Sequence, residues 1–275
     1  MLARSFAQFL LNSRSIFRLF GIRAGIWLAS VIIAARFLSL AAADTLTAGQ
    51  IFEKVRENYS SLSSYSDEGQ IITAMDGDVA TSTFTIRLAR TNFYKIQWQW
   101  NSQSSPSIKN SAPSAVWSSG AGDYLEAGWG VQGPINRDAA LAHAAGLSGG
   151  AAATVPGLFF SAQVPLEEPT WNVKRQRDEK LGDIGCYVLV RESQYGETKT
   201  FWIGKEDYLI HQIRTDISAK TMQAASVAAK LSPEVIANLR GFTSIEIHTN
   251  IVLNQQFLQS DFVPSFPLFQ QRIDE

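Results

Sequence analysis

The sequence predicts an α+β fold: a large antiparallel sheet covered by a few helices. Three observations carry this. Runs of β-branched and aromatic residues recur at hairpin spacing, separated by turns containing Gly, Asn or Asp. One amphipathic helix precedes them, and only two or three more helical segments follow. The stretch FYKIQWQW, Phe93 to Trp100, alternates strictly, so Tyr94, Ile96, Trp98 and Trp100 share one very apolar face. Phe93, Lys95, Gln97 and Gln99 share the other. A sheet of this size curls or closes.

The elements follow in order. In TLTAGQIFEKVRENYSSLSSY, Thr47 and Gln50 have capping-box spacing. Ile51, Phe52, Val55, Tyr59 and Leu62 then form one stripe, which predicts a helix lying on a sheet. YSDEGQIITAM is a strand ended by the turn DGD. VATSTFTIRLAR follows, with Phe84, Ile86 and Leu88 on one face together with Arg90. A turn at Thr91–Asn92 leads into the aromatic strand. SAVWSSGAGDYLEAG reads as a hairpin around GAG. DAALAHAAGL reads as a short helix. SGGAAATVPGLFF reads as a mobile segment tipped with Leu158, Phe159 and Phe160, either a lid or a surface loop with a docked apolar anchor. After Pro169 come two hairpins turning at LGDIG and GKED. Two helices of weak amphipathicity follow, the second capped by Ser232 with Pro233 in its first turn. The last long strand is FTSIEIHTNIVL.

Residues 1–43 hold five arginines and no acid, an apolar run AGIWLASVII, and the ending SLAAA just before Asp44. This pattern reads as a secretory signal cut after Ala43. Arg36 interrupts the apolar stretch, so an uncleaved inner-membrane anchor is the alternative. Residues 44–275 then carry 25 acids against 19 basic residues, a net charge of about −6 that argues against nucleic-acid binding. A lone Cys186 excludes an internal disulfide and a zinc site built on cysteine pairs. With three scattered histidines, His143, His211 and His248, no metal or cofactor is expected. The two strand histidines read as satisfied or exposed side chains rather than catalytic ones.

Several motifs carry the next step. SLSSYSDEGQI follows the first helix; ARTNFYKIQW (89–98) is a basic residue, a turn and an aromatic strand. AVWSSGAGDYLEAG (115–128) is strand, glycine turn, strand; KTFWIGKEDYLIHQIRTD (199–216) is a tryptophan-containing hairpin. NIVLNQQFLQSDFVPSFP (250–267) is a closing strand with a Phe-Pro ending. In this order they resemble the LolA-like periplasmic carriers and the wider group of LolA-like secreted domains. The resemblance implies a strongly curved antiparallel sheet forming an open half β-barrel, with an N-terminal helix and helical insertions covering the concave side. It implies one such domain over 44–275, with helical insertions near 136–160 and 218–240. It also implies a use: a non-enzymatic carrier or sensor that holds a lipid or lipoprotein acyl chain in an apolar cavity, with a lipidated protein and a cell-envelope membrane protein as partners. Phe84, Ile86, Leu88, Tyr94, Ile96, Trp98, Trp100, Phe159 and Phe160 would line that cavity. Arg90 stands where such carriers place an arginine that holds the lid by hydrogen bonds to backbone. Thr91 follows it, where the family commonly has proline. The insertions depart from a plain carrier and put lipoprotein cargo in question.

Two other chemistries are weighed against this. GLSGG (146–150) satisfies Gly-x-Ser-x-Gly with Ser148 as nucleophile, but the elbow needs a strand before it and a helix after, and here a helix-like segment precedes. GWGVQG (128–133) satisfies Gly-x-Gly-x-x-Gly, but Pro134 follows and no βαβ unit surrounds it. A protein–protein interaction module with a filled core is the alternative to the carrier. The aromatic face then covers ordinary packed interior.

Overall fold

The computed structural model describes residues 45–75, 77–102, 111–128, 130–160, 172–193, 196–228 and 232–265. The signal-like residues 1–43 and the Phe-Pro ending lie outside them. Thr47–Glu275 form one compact unit.

Helix α1 spans Ala48–Ser61. The Thr47 side chain accepts from the Gln50 backbone, and the Gln50 side chain accepts from the Thr47 backbone, as the capping-box spacing predicts. Its stripe of Ile51, Phe52, Val55 and Tyr59 is buried.

Six strands then run as a meander: β1 (Ser64–Met75), β2 (Asp78–Ala89), β3 (Phe93–Ser102), β4 (Ser114–Ser118), β5 (Asp123–Glu126) and β6 (Val131–Ile135). Helices α2 (Arg137–Leu147) and α3 (Thr154–Phe160) interrupt them. Strands β7 (Asn172–Arg175), β8 (Glu179–Leu181), β9 (Ile184–Glu192), β10 (Glu197–Gly204) and β11 (Ile210–Ile217) follow. A pair of short helices, α4 (Ala219–Ala228) and α5 (Pro233–Asn238), then precedes β12 (Phe242–Leu253). The spatial order is β6-β5-β4-β3-β2-β1-β12-β11-β10-β9-β7, with β8 on β9. Every pairing is antiparallel. The last strand thus returns to the centre and pairs with the first, joining two meanders into one open, curved sheet. The α+β half-barrel expected from the sequence is what the chain forms.

Two details differ from the sequence reading. The glycine-rich stretch after Gly128 leads into a further strand, β6, at the edge of the sheet. Its Gly133 and Pro134 depress strand propensity, and an edge strand is where proline is tolerated. The small-residue segment before Phe159 is not loop throughout: Thr154–Phe160 is helical, with Val155, Leu158 and Phe159 buried.

Register decides which side chains share the concave face. Phe84 stands opposite Trp98, Ile86 opposite Ile96, Leu88 opposite Tyr94 and Ser82 opposite Trp100. Val116 of β4 and Leu125 of β5 continue the row. On the other side of the centre, Ile213 and Phe201 face the same way. Helix α1 packs there: Phe52 meets the Phe201 ring edge-on at 5.4 Å, and the Tyr59 hydroxyl accepts from Ile210 N at 3.2 Å. The convex side carries Lys95, whose Nζ donates to Val263 O at 2.9 Å, so the segment after β12 runs over the outer face of β3.

Candidate functional site

The apolar face of the aromatic strand is covered by the chain's own α2–α3 segment. Tyr94, Ile96, Ile86 and Leu88 are 0% exposed, and Phe84 and Trp98 are 3% exposed. Phe159 is buried, and Phe160 meets Tyr94 edge-on at 5.8 Å. The nine residues expected to line a cavity are therefore distributed over two surfaces that meet: seven on β2 and β3, two on α3.

The covering segment is fastened to the sheet at both ends. At one end, the indole N–H of Trp100 donates to Leu147 O at 2.8 Å, satisfying a carbonyl at the C-terminus of α2. The turn that follows lies on the same ring. Gly149 has φ +72°, and a Cβ there would stand 2.9 Å from Trp100 Cζ2. Only glycine meets both demands without strain. At the other end, the Arg90 guanidinium lies 4.2 Å from the centroid of the Phe159 ring. Arg137 of α2 adds a hydrogen bond to Asn92 Oδ1 at 2.6 Å.

The hydrogen bonds of Arg90 run to the last turn of α1. Nε donates to Leu62 O at 3.0 Å, and Nη2 donates to both Tyr59 O at 3.2 Å and Ser60 O at 2.6 Å. These carbonyls lie at the C-terminal end of α1, where Tyr59 O also accepts from Leu62 N at 3.4 Å, and α1 carries no basic residue in its last turn. Arg90 supplies that charge from the β2–β3 turn, where Thr91 and Asn92 both adopt positive φ. One side chain thus ties α1, the sheet and α3 together.

Beneath the Gly149–Gly150 turn lies a polar cluster that sequence reasoning missed. His248 Nδ1 is 2.5 Å from Asp67 Oδ2, and Nε2 is 3.0 Å from Glu246 Oε1. The Tyr65 hydroxyl donates to Asp67 Oδ2 at 2.7 Å. Burial disfavours the charged imidazole, but the two carboxylates outweigh it and push the His248 pKa up to about 10. Register builds the cluster. Asn250, at φ +52°, forms a bulge in β12 opposite Asp67. Parity along β1 places Asp67 with Tyr65 and Ile71 on the inward face, which was a usable signal. The pairing of β12 with β1 was not visible in the sequence.

Ser148 is fully buried, and its Oγ accepts from Ala152 N at 3.1 Å. That bond shapes the turn into α3. Among the described residues no group of three or more side chains is placed to hold a metal ion. No helix among them is long and apolar enough to cross a membrane. A shallow groove of about 290 Å³ lies on the convex side, with Thr83, Thr85, Gln97 and Gln99 in its lining.

No protein-family model and no curated protein matches the chain. Solved structures do. A DUF1329 family protein from Desulfovibrio piger is 13% identical with a TM-score of 0.36, over 78% of this chain and 97% of that one. The MucA/MucB complex of Pseudomonas aeruginosa gives 10% identity and a TM-score of 0.41, over 79% of this chain and 60% of that one. The match therefore spans about three fifths of that chain's length. A LolA superfamily protein from Nitrosomonas europaea is 12% identical with a TM-score of 0.29, over 80% of this chain and 99% of that one.

Proposed function

We propose that the domain is a non-enzymatic carrier or sensor in the periplasm that binds the acyl chain of a lipid or lipidated protein between its concave face and the α2–α3 segment. The observation that carries this is the covering itself. A continuous aromatic and aliphatic face is closed by a segment of small residues, held at one end by Trp100 and at the other by Arg90 and Phe159. Opening it exposes Tyr94, Ile96, Trp98, Phe84, Ile86 and Leu88 together with the underside of α3. Each methylene buried there contributes about 0.8 kcal/mol, and the contacts of Phe159 and Phe160 with the sheet are what it must replace. The closed state is one of two populations, and cargo shifts it by binding only the open one.

The secretory reading of residues 1–43 supports the compartment, and a cell-envelope membrane protein is the partner that would deliver or accept cargo. The test is native mass spectrometry of the protein, expressed as the full chain and purified gently from a bacterial envelope, with organic extraction of anything bound. A released acyl lipid supports the carrier. A clean apo mass, together with failure to bind an added long-chain amphiphile, overturns it. In that case the second reading stands, an interaction module with a filled core. The complete burial of Ile86, Leu88, Tyr94 and Ile96 in the closed state favours that reading.

A further inference from the structure

The Asp67–His248–Glu246 cluster has a chemistry that packing does not use up. The side chains of Asp67 and His248 are fully buried, and that of Glu246 is 8% exposed. Yet Asp67 Oδ1, Glu246 Oε1 and His248 Nε2 each lack a hydrogen bond. The 3.0 Å approach of Nε2 to Oε1 is an ion-pair contact without hydrogen-bond alignment. Buried polar atoms left this way cost stability, so their retention asks for a partner.

Position says what the partner is attached to. Phe84 stands opposite Trp98 across β2–β3 and meets the His248 ring edge-on at 5.4 Å. Gly69 leaves room for the Phe84 ring, since an added Cβ would overlap it. The apolar strip of the concave face therefore runs from Trp98 over Phe84 directly to the cluster. The roof over the cluster is the lid turn. A Cβ on Gly150 would lie 3.2 Å from Glu246 Oε2, so the missing side chain keeps this acid just beneath the segment that must lift.

Charge says what the partner is. Both ring nitrogens of His248 face carboxylate oxygens, which makes the ring an imidazolium between two carboxylates and leaves the cluster at −1. Both orphan carboxylate oxygens are acceptors. An ammonium has three donors, no acceptor and the complementary charge. A carboxylate or phosphate head group would meet like charge away from water. We infer that Asp67, His248 and Glu246 form a head-group subsite at the end of the concave apolar face, selective for acyl ligands that carry a primary ammonium. This rests on the carrier reading.

Calorimetric titration of the protein with dodecylammonium and with dodecanoate, each below its micelle concentration at neutral pH, tests it. The expected result is binding of dodecylammonium about tenfold tighter than dodecanoate. The preference should disappear in Glu246→Gln, which keeps shape and removes charge. Equal affinities, or a preference for dodecanoate, would overturn the subsite and leave the carrier standing. If neither amphiphile binds, the carrier reading falls and the subsite with it. A melting curve shows whether Glu246→Gln is folded. If it is not, Asp67→Asn replaces it in the same comparison.

Discussion

The guanidinium of Arg90 lies over the ring of Phe159 at 4.2 Å while its nitrogens hold the carbonyls of α1's last turn. Arg90 is therefore both a helix cap and the seat of the lid's aromatic tip. Replacing it with leucine leaves three carbonyls short of a donor and removes the cation from the ring. We expect Arg90→Leu to cost about 1–3 kcal/mol. Urea unfolding measures the loss. Hydrogen exchange should quicken in both α1's last turn and α3, and acceleration of α1 alone would refute a role in closure.

Trp100 fastens the other end. Trp100→Phe keeps an aromatic ring under Gly149 but removes the donor to Leu147 O. The expected cost is about 0.5–1.5 kcal/mol. Amide exchange at 148–152 should rise with little change in β3, which would separate a lid fastening from a general core role.

Gly149→Ala acts on the same contact from above. At φ +72° an alanine is strained by about 1–2 kcal/mol, and its methyl presses on Trp100. The turn should lift, so the variant should melt lower yet bind an acyl probe more tightly than the wild type. Weaker binding with lower stability would mean that the turn belongs to the bound state.

His248 gives a pH dependence of definite sign. Its folded pKa of about 10 lies above the unfolded value of 6.5. The stabilisation is fully present below the unfolded value and is lost as pH rises through the folded one. The groups facing it are Asp67 and Tyr65 from β1, Glu246 from β12 and Phe84 from β2. Burial also raises the Tyr65 phenol, which stays neutral in this window. The urea midpoint should therefore fall between neutral pH and about pH 10. His248→Gln should be less stable at neutral pH by about 3–5 kcal/mol, because it leaves two buried carboxylates unpaired. It should also flatten the pH slope; an unchanged slope would show that His248 is not the titrating group.

Much of this was legible in particular residues. The capping box at Thr47 and Gln50 and the stripe after it gave α1. Strict alternation in Phe93–Trp100 gave β3 and its inward face, because a period of two leaves no other assignment. The same parity put Arg90 with Leu88 on the inward side. β6 was missed because an edge strand carries Gly and Pro, the residues that read as turn. The residues of α3 read locally as loop, because seven residues containing Pro156 and Gly157 have little helix propensity. Packing of Val155, Leu158 and Phe159 supplies what propensity lacks.

By itself the sequence determined the class of the fold and the identity of the apolar face, since both follow from local periodicity. Only the tertiary structure decided what that face covers and what lies at its end. The return of β12 to β1, and the bulge at Asn250, bring together Asp67 and His248, 181 positions apart along the chain. Register between distant strands is set by the whole core at once, and no local pattern encodes it.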